Sequence, residues 1–334
     1  MTIFTKVGLA KNIVFVLMIF NPVYAEQATC NALSKLVLSN AEIASTEYVG
    51  AGKFAAPPGW WKDKASYEEL PAFCRVEIIG QPSDDSEIHV EIWLPTESWN
   101  GRYYQIGIGG GGGSIFYTML AESLGVGNAT ATSDDGHKSG GIRRTDWAIG
   151  HPEKVVDYGY RAVSETTRIA KAVIISFYGK APHHNYFSGC SDGGRHALMT
   201  AIRNPEEWDG ILIGAPSNYA AHRTVSELAR GQAWLSNPNG RIFPKKLPTI
   251  QKMALASCSP DAHVIDGIAT DPRFCVFDPD IMRCKGAENY ACLTKPQVST
   301  LRNIYKGLNH PLTTRPLYPG FPATAESQES PFGG

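Results

Sequence analysis

The stretch Asn185-Tyr186-Phe187-Ser188-Gly189-Cys190-Ser191-Asp192-Gly193-Gly194 decides the fold. A short strand over Asn185 to Ser188 enters a Gly-x-Ser-x-Gly pattern, and a helix is predicted from Gly193 to Arg203. A tight strand-to-helix turn holds its serine strained and exposed, and small residues at 189 and 193 avoid collision there. A serine hydroxyl is a poor nucleophile without a base in hydrogen-bond reach, so the turn supplies the geometry and not the base. The helix N-terminus aims free N–H groups at developing negative charge. Ser191 is therefore the candidate nucleophile, with the backbone N–H of Asp192 as one oxyanion donor. The competing reading, a structural turn with a passive serine, is disfavoured by the strand before the motif and the helix after it.

Working outward, Gly210 to Gly214 is a continuous apolar strand, and strand, helix, strand in that order implies a parallel sheet. Upstream, Val156 to Phe177 carries apolar residues at helical spacing, predicting an amphipathic helix of several turns. Tyr103 to Ile108 reads as a buried strand running into five glycines, Gly109 to Gly113, whose backbone can approach a ligand closely. This loop is placed to give the second oxyanion donor, which we assign to Gly110. A phosphate-binding loop is the alternative, but no Lys-Ser or Lys-Thr follows, and any glycine run satisfies Gly-x-Gly-x-x-Gly. Phe73 to Ile79 and the alternation Ile88, Val90, Ile92, Leu94 predict an opening antiparallel hairpin. From Asn218 to Gly334 the alternation lapses into a polar, Pro-rich, Cys-bearing region that reads as a lid more than as sheet. The fold class is α/β, with segments 1–25, 26–217 and 218–334 as leader, core and partial lid.

With 334 residues, 43% of them hydrophobic, the chain can bury a substantial core. A net charge of -1 offers no field for nucleic acid or for an anionic membrane. Lys6 and Lys11 precede an apolar run from Ile13 to Phe20 and the small-residue site Val23-Tyr24-Ala25, which reads as a signal peptide cut after Ala25. The run is short of the roughly 20 residues that span a bilayer, which argues against a membrane anchor. Secretion or periplasmic export is the expectation, and it makes the seven cysteines candidates for disulfides. Cys258 with Cys275 and Cys284 with Cys292 would staple local loops, and Cys30 with Cys74 would tie the mature N-terminus to the first strand. Cys190 is left without a partner.

A triad on this kind of fold runs Ser, then Asp or Glu, then His. Downstream of Ser191 stand only His196, His222, His263 and His310, and each reads as a surface histidine in preference to the base. At this point the sequence resembles the tannase and feruloyl esterase family, which includes the bacterial hydrolase of mono-hydroxyethyl terephthalate. The resemblance rests on Trp99-Asn100-Gly101-Arg102, Asp135-Gly136-His137, the elbow through Arg195, and Trp208-Asp209-Gly210-Ile211. It implies an α/β-hydrolase core with an inserted lid. It also implies a disulfide from Cys190 to a cysteine following the catalytic histidine; no His-Cys dipeptide is present, so the sequence looks truncated relative to the family. Finally, it implies a structural calcium site at Ser259, Ala262, Val264, Asp266 and Ile268, where only Asp266 keeps a carboxylate. The other reading of that segment is a disulfide-closed loop without metal.

The expected activity is two-step acyl transfer on carboxylic esters of aromatic acids, feruloyl or tannin-type, from a small ester or a plant polymer, with no organic cofactor. Two readings stand beside it: a catalytically inactive truncated homologue acting as a binding protein, and a secreted calcium-dependent binding module.

Overall fold

The computed structural model describes residues 22–57, 67–139 and 145–326, with side chains from Glu26 onward. Most of the expected leader therefore lies outside the described residues. The chain divides into two compact units, Met1–Asn218 and Tyr219–Gly334.

The first unit opens with helix α1 (Pro22–Ala32), which the Cys30–Cys74 disulfide fastens to the sheet. Strands β1 (Ala41–Val49), β2 (Phe73–Gly80) and β3 (Ile88–Pro95) form an antiparallel meander, with β2 and β3 in register from Phe73 opposite Pro95 to Gly80 opposite Ile88. β4 (Arg102–Gly107), helix α2 (Tyr117–Gly125) and β5 (Ala129–Ser133) follow. A short helix α3 (Pro152–Val156), a π-helical turn over Asp157–Arg161 and helix α4 (Ala162–Tyr178) then lead to β6 (His184–Cys190), α5 (Asp192–Arg203) and β7 (Gly210–Gly214). The seven strands are ordered β1-β2-β3-β5-β4-β6-β7, and β5, β4, β6 and β7 run parallel.

Alternation on β3 explains how both faces are covered. Ile88, Val90, Ile92 and Leu94 pack with Ile169, Ala170, Val173 and Ile174 of α4, while Trp93 faces Leu120 and Leu124 of α2 on the other side.

Two features depart from the sequence reading. The amphipathic run is not one helix, because the π turn interrupts it. β5, Ala129-Thr130-Ala131-Thr132-Ser133, lies inside the sheet and is buried throughout, yet carries no large apolar residue. Its threonine hydroxyls donate to the carbonyls of Tyr104 and Ile106, satisfying polar groups that the periodicity offers no hint of. β7, read as a continuous apolar strand of a parallel sheet, is the outermost strand among the described residues, with Leu212 67% exposed.

The second unit comprises helices α6 (Ala220–Leu235), α7 (Leu247–Ala256) and α8 (Lys295–Lys306) with the short hairpins β8 (Val264–Ile265) to β9 (Ile268–Ala269) and β10 (Leu308–Asn309) to β11 (Pro316–Tyr318). Its core gathers Ile242, Ile250, Met282, Leu293, Val298 and Leu301. The Cys258–Cys275 and Cys284–Cys292 bridges are both formed. Thr294 and Gln297 make a reciprocal capping box at the start of α8. Lys246 is buried beside this core, and its ammonium donates to Glu288 Oε1 (2.7 Å), the carbonyl of Cys292 (2.7 Å) and Gln297 Oε1 (2.8 Å). Those acceptors explain how an ammonium is held out of water. Lys246→Met is expected to destabilise this unit by about 2 kcal/mol, the order for leaving the buried Gln297 amide oxygen without its ammonium donor. Urea unfolding, with hydrogen exchange followed across 284–301, measures the effect.

Candidate active site

Ser191 sits between β6 and α5 with φ 61° and ψ -116°, outside the conformations an L-residue ordinarily adopts. Its N–H donates to the carbonyl of Gly214, and its carbonyl accepts from Arg195 and Ser217. The glycines on either side are required by close approach of backbone. A Cβ on Gly189 would stand 2.1 Å from the carbonyl oxygen of Gly193, one on Gly193 2.1 Å from that of Gly107, and one on Gly194 2.1 Å from that of Gly214. The start of α5 is thus laid directly onto three adjacent strands, which holds the turn in its strained form.

The parallel register Gly107 opposite Gly189 brings the glycine loop level with Ser191, and a Cβ on Gly109 would lie 3.6 Å from the carbonyl of Cys190. Gly110 to Gly113 all have positive φ. Gly113 donates to the carbonyl of Asp134 and accepts from Ser139, which pins the end of the loop. Among the described residues the N–H of Gly110 has no acceptor. Gly112 rests on Asp135 and His137: a Cβ there would fall 2.8 Å from Asp135 Oδ2 and 2.9 Å from His137 Cε1.

Behind the elbow lies a buried polar cluster built around Arg195. Its Nε donates to Asp192 Oδ1 (3.1 Å), both terminal nitrogens donate to the carbonyl of Tyr158, one of them also to that of Gly159, and the other to His196 Nε2 (2.8 Å). The carbonyls come from the π turn, whose widened ladder turns them toward the guanidinium. The Tyr158 hydroxyl donates to Asp192 Oδ2 at 2.7 Å, and the Tyr158 ring lies beneath the guanidinium. Burial alone would raise the Asp192 carboxyl, but the Arg195 charge and the Tyr158 hydroxyl outweigh it and hold it below the usual range.

His196 is buried, which corrects the expectation of a surface histidine. Arg195 is a donor only, so His196 Nε2 accepts and the ring is neutral, with its proton on Nδ1. Burial and the Arg195 charge push its pKa down to about 3. Asp135 Oδ2 stands 3.4 Å from the same nitrogen, and burial raises Asp135 well above the carboxylate range. The imidazole of the pair is neutral, and burial disfavours charge on the carboxyl. His137 stacks on Trp147 at 3.9 Å. Burial lowers its pKa to about 4, outweighing the backbone of Asp135 and Gly111, which favours the protonated ring.

No hydrogen bond from the Ser191 hydroxyl forms among the described residues, and none of the described histidines is bonded to it. His196 carries the right chemistry for a base, but Arg195 occupies its Nε2. His222 and His263 are exposed, and His310 is half-buried. Cys190 is exposed, with a free thiol. Tyr158 is the contributor that sequence reasoning missed; Gly159, inside an otherwise helical run, was the available signal.

The positions anticipated for calcium lie in the second unit. Of Ser259, Ala262, Val264, Asp266 and Ile268, only Asp266 bears a carboxylate, and it is exposed at the tip of the β8–β9 hairpin. No group of three or more His, Cys, Asp or Glu suited to a metal occurs among the described residues. The donor set does not fit calcium, which favours several charged oxygens.

The parallel strands, the strained serine turn and the glycine loop at their C-terminal ends define the α/β-hydrolase architecture. A family model described as tannase and feruloyl esterase matches residues 74–332. An uncharacterized esterase of Xanthomonas campestris pv. campestris is 43% identical over 294 residues, covering 88% of this chain and 50% of that protein. A probable feruloyl esterase B-2 of Aspergillus flavus is 30% identical, covering 83% and 54%. The crystal structure of feruloyl esterase B from Aspergillus oryzae superposes with a TM-score of 0.77 at 26% identity, over 90% of this chain and 60% of that one. The chain belongs to the tannase and feruloyl esterase family. It spans about half the length of the curated relatives it matches.

Two outcomes follow for the buried cluster. Arg195→Met should cost about 3 kcal/mol by leaving the Asp192 carboxylate buried without its cation, and Arg195→Lys should not restore it, since an ammonium cannot reproduce the fork. Urea midpoints of the three proteins decide this. His137 and His196 are neutral when folded but protonate near 6.5 when unfolded, so the unfolded state binds more protons below that pH. Stability should fall as pH drops from about 6.5 toward 5, and His196→Gln should flatten that slope in thermal melts.

Proposed function

We propose that this chain carries the nucleophile half of a secreted serine esterase acting on carboxylic esters of aromatic acids, of feruloyl or tannin type. The observation behind it is Ser191, held strained at the head of α5 and level with a glycine loop whose Gly110 N–H has no acceptor among the described residues. Ser191 Oγ attacks the ester carbonyl, the alcohol leaves, and water releases the acid from the acyl-enzyme. The N–H groups of Asp192 and Gly110 receive the oxyanion. The Asp192 carboxylate is drawn aside by Arg195 and Tyr158. The aromatic acid is proposed from the names of the relatives, which are called feruloyl esterases.

The proton on Ser191 needs a base, and we place that base and its acid outside the described residues. Export is proposed from the N-terminal charge and apolar run, which predicts that the exported protein begins at Glu26 on N-terminal sequencing. No described helix is long and apolar enough to cross a membrane.

A second reading, an inactive homologue that binds aromatic esters or acids, is favoured by the lack of any base bonded to Ser191 among the described residues. 4-Nitrophenyl ferulate separates the two, because its good leaving group lessens the need for the base. The esterase reading predicts a feruloyl adduct on Ser191 by mass spectrometry, lost in Ser191→Ala. A folded chain that binds ferulate equally in both proteins and forms no adduct would establish the binding protein instead.

A further inference from the structure

The loop between Cys258 and Cys275 lacks a calcium donor set, yet it is an ordered turn-rich structure, and its hydrogen bonds show what closes it. Ser259 donates to the carbonyl of Phe274 beside the disulfide, and a single 3-10 turn over Pro260–Ala262 delivers the chain to His263, at φ 45°. β8 and β9 follow, joined by Asp266 and Gly267, both with positive φ, the backbone of a tight hairpin turn. On leaving β9 the chain passes back under its own start. The Thr270 hydroxyl donates to the carbonyls of Ala262 (3.2 Å) and His263 (3.3 Å), and the Asp271 N–H also donates to Ala262 (3.2 Å).

These bonds hold the turn at Ala262 and His263 through the chain's own donors: the carbonyl of Ala262 accepts from the Asp271 N–H and shares the Thr270 hydroxyl proton with that of His263. Asp271 is engaged by Arg273 through both oxygens, and Asp261 and Asp266 are exposed. Ala262, fully buried at a position where the family resemblance calls for a ligand, supplies packing in place of a charge.

We propose that Thr270 and Asp271 close this loop by hydrogen bonding in place of a cation, so that the second unit acquires and keeps its structure without calcium. Thr270 is the positioning residue, its one hydroxyl proton shared between two successive carbonyls in a three-centre bond. The inference concerns the second unit alone and does not rest on the esterase reading.

Hydrogen exchange over 259–271 in the full chain, with the disulfides intact, tests it in EDTA and in millimolar calcium chloride. The expected result is the same protection in both, an increase of about tenfold in exchange for Thr270→Val, and wild-type protection for Thr270→Ser, which keeps the hydroxyl. Faster exchange of the wild-type loop in EDTA would overturn the proposal, as would calcium binding by calorimetry. Wild-type exchange in Thr270→Val would equally overturn it, since the hydroxyl would then close nothing.

Discussion

Everything about the candidate site depends on how closely helix α5 is laid onto the sheet. Gly189, Gly193 and Gly194 each meet a backbone carbonyl where a Cβ would be, so the helix axis sits nearer the strands than any side chain permits. That proximity forces Ser191 into its strained conformation, because the chain must reverse from strand to helix within one residue. The same constraint sets the helix N-terminus level with the glycine loop, through the parallel pairing of β4 with β6. Serine exposure, oxyanion donors and strain are consequences of one packing distance.

Such a strained turn persists only where its surroundings over-determine it. The Arg195 cluster supplies that determination from behind. One guanidinium ties the side chain of Asp192 to the backbone of the π turn and to the ring of His196, spanning the elbow helix and the segment leading into α4. Asp135 and His137 extend the support to the underside of the glycine loop. Burial keeps the His137 and His196 rings neutral, while the Asp192–Arg195 ion pair stands at the head of α5.

The elbow was legible from sequence because its requirement is steric and local: glycine at 189 and 193, with a strand before and a helix after. The three cysteine pairings were legible because each closes a loop between elements that the chain itself brings near. β5 was not legible, since a strand buried on both faces by Ala and Thr shows no alternation. The break before α4 was hidden too, because a π turn shifts the helical period without removing its apolar residues. His196 misled for a physical reason: a histidine's usual place is the surface, and nothing in the sequence announces that Arg195 will desolvate beside it. In the second unit, the loss of carboxylates could be read off directly, whereas the bridging by Thr270 depended on a return of the chain that only the fold reveals.

The edge strand β7 has a consequence for handling the molecule. Among the described residues it pairs on one side only, with β6, and it presents Leu212 and Ile213 beside an open row of N–H and C=O groups. A short apolar edge of this kind is a template for strand addition, and natural proteins cover, charge or break such edges. Gly210-Ile211-Leu212-Ile213-Gly214 holds no lysine, proline or bulge to discourage a neighbour. Self-association through this strand would be concentration-dependent and begin at the β7 rim of the sheet, the edge opposite β1.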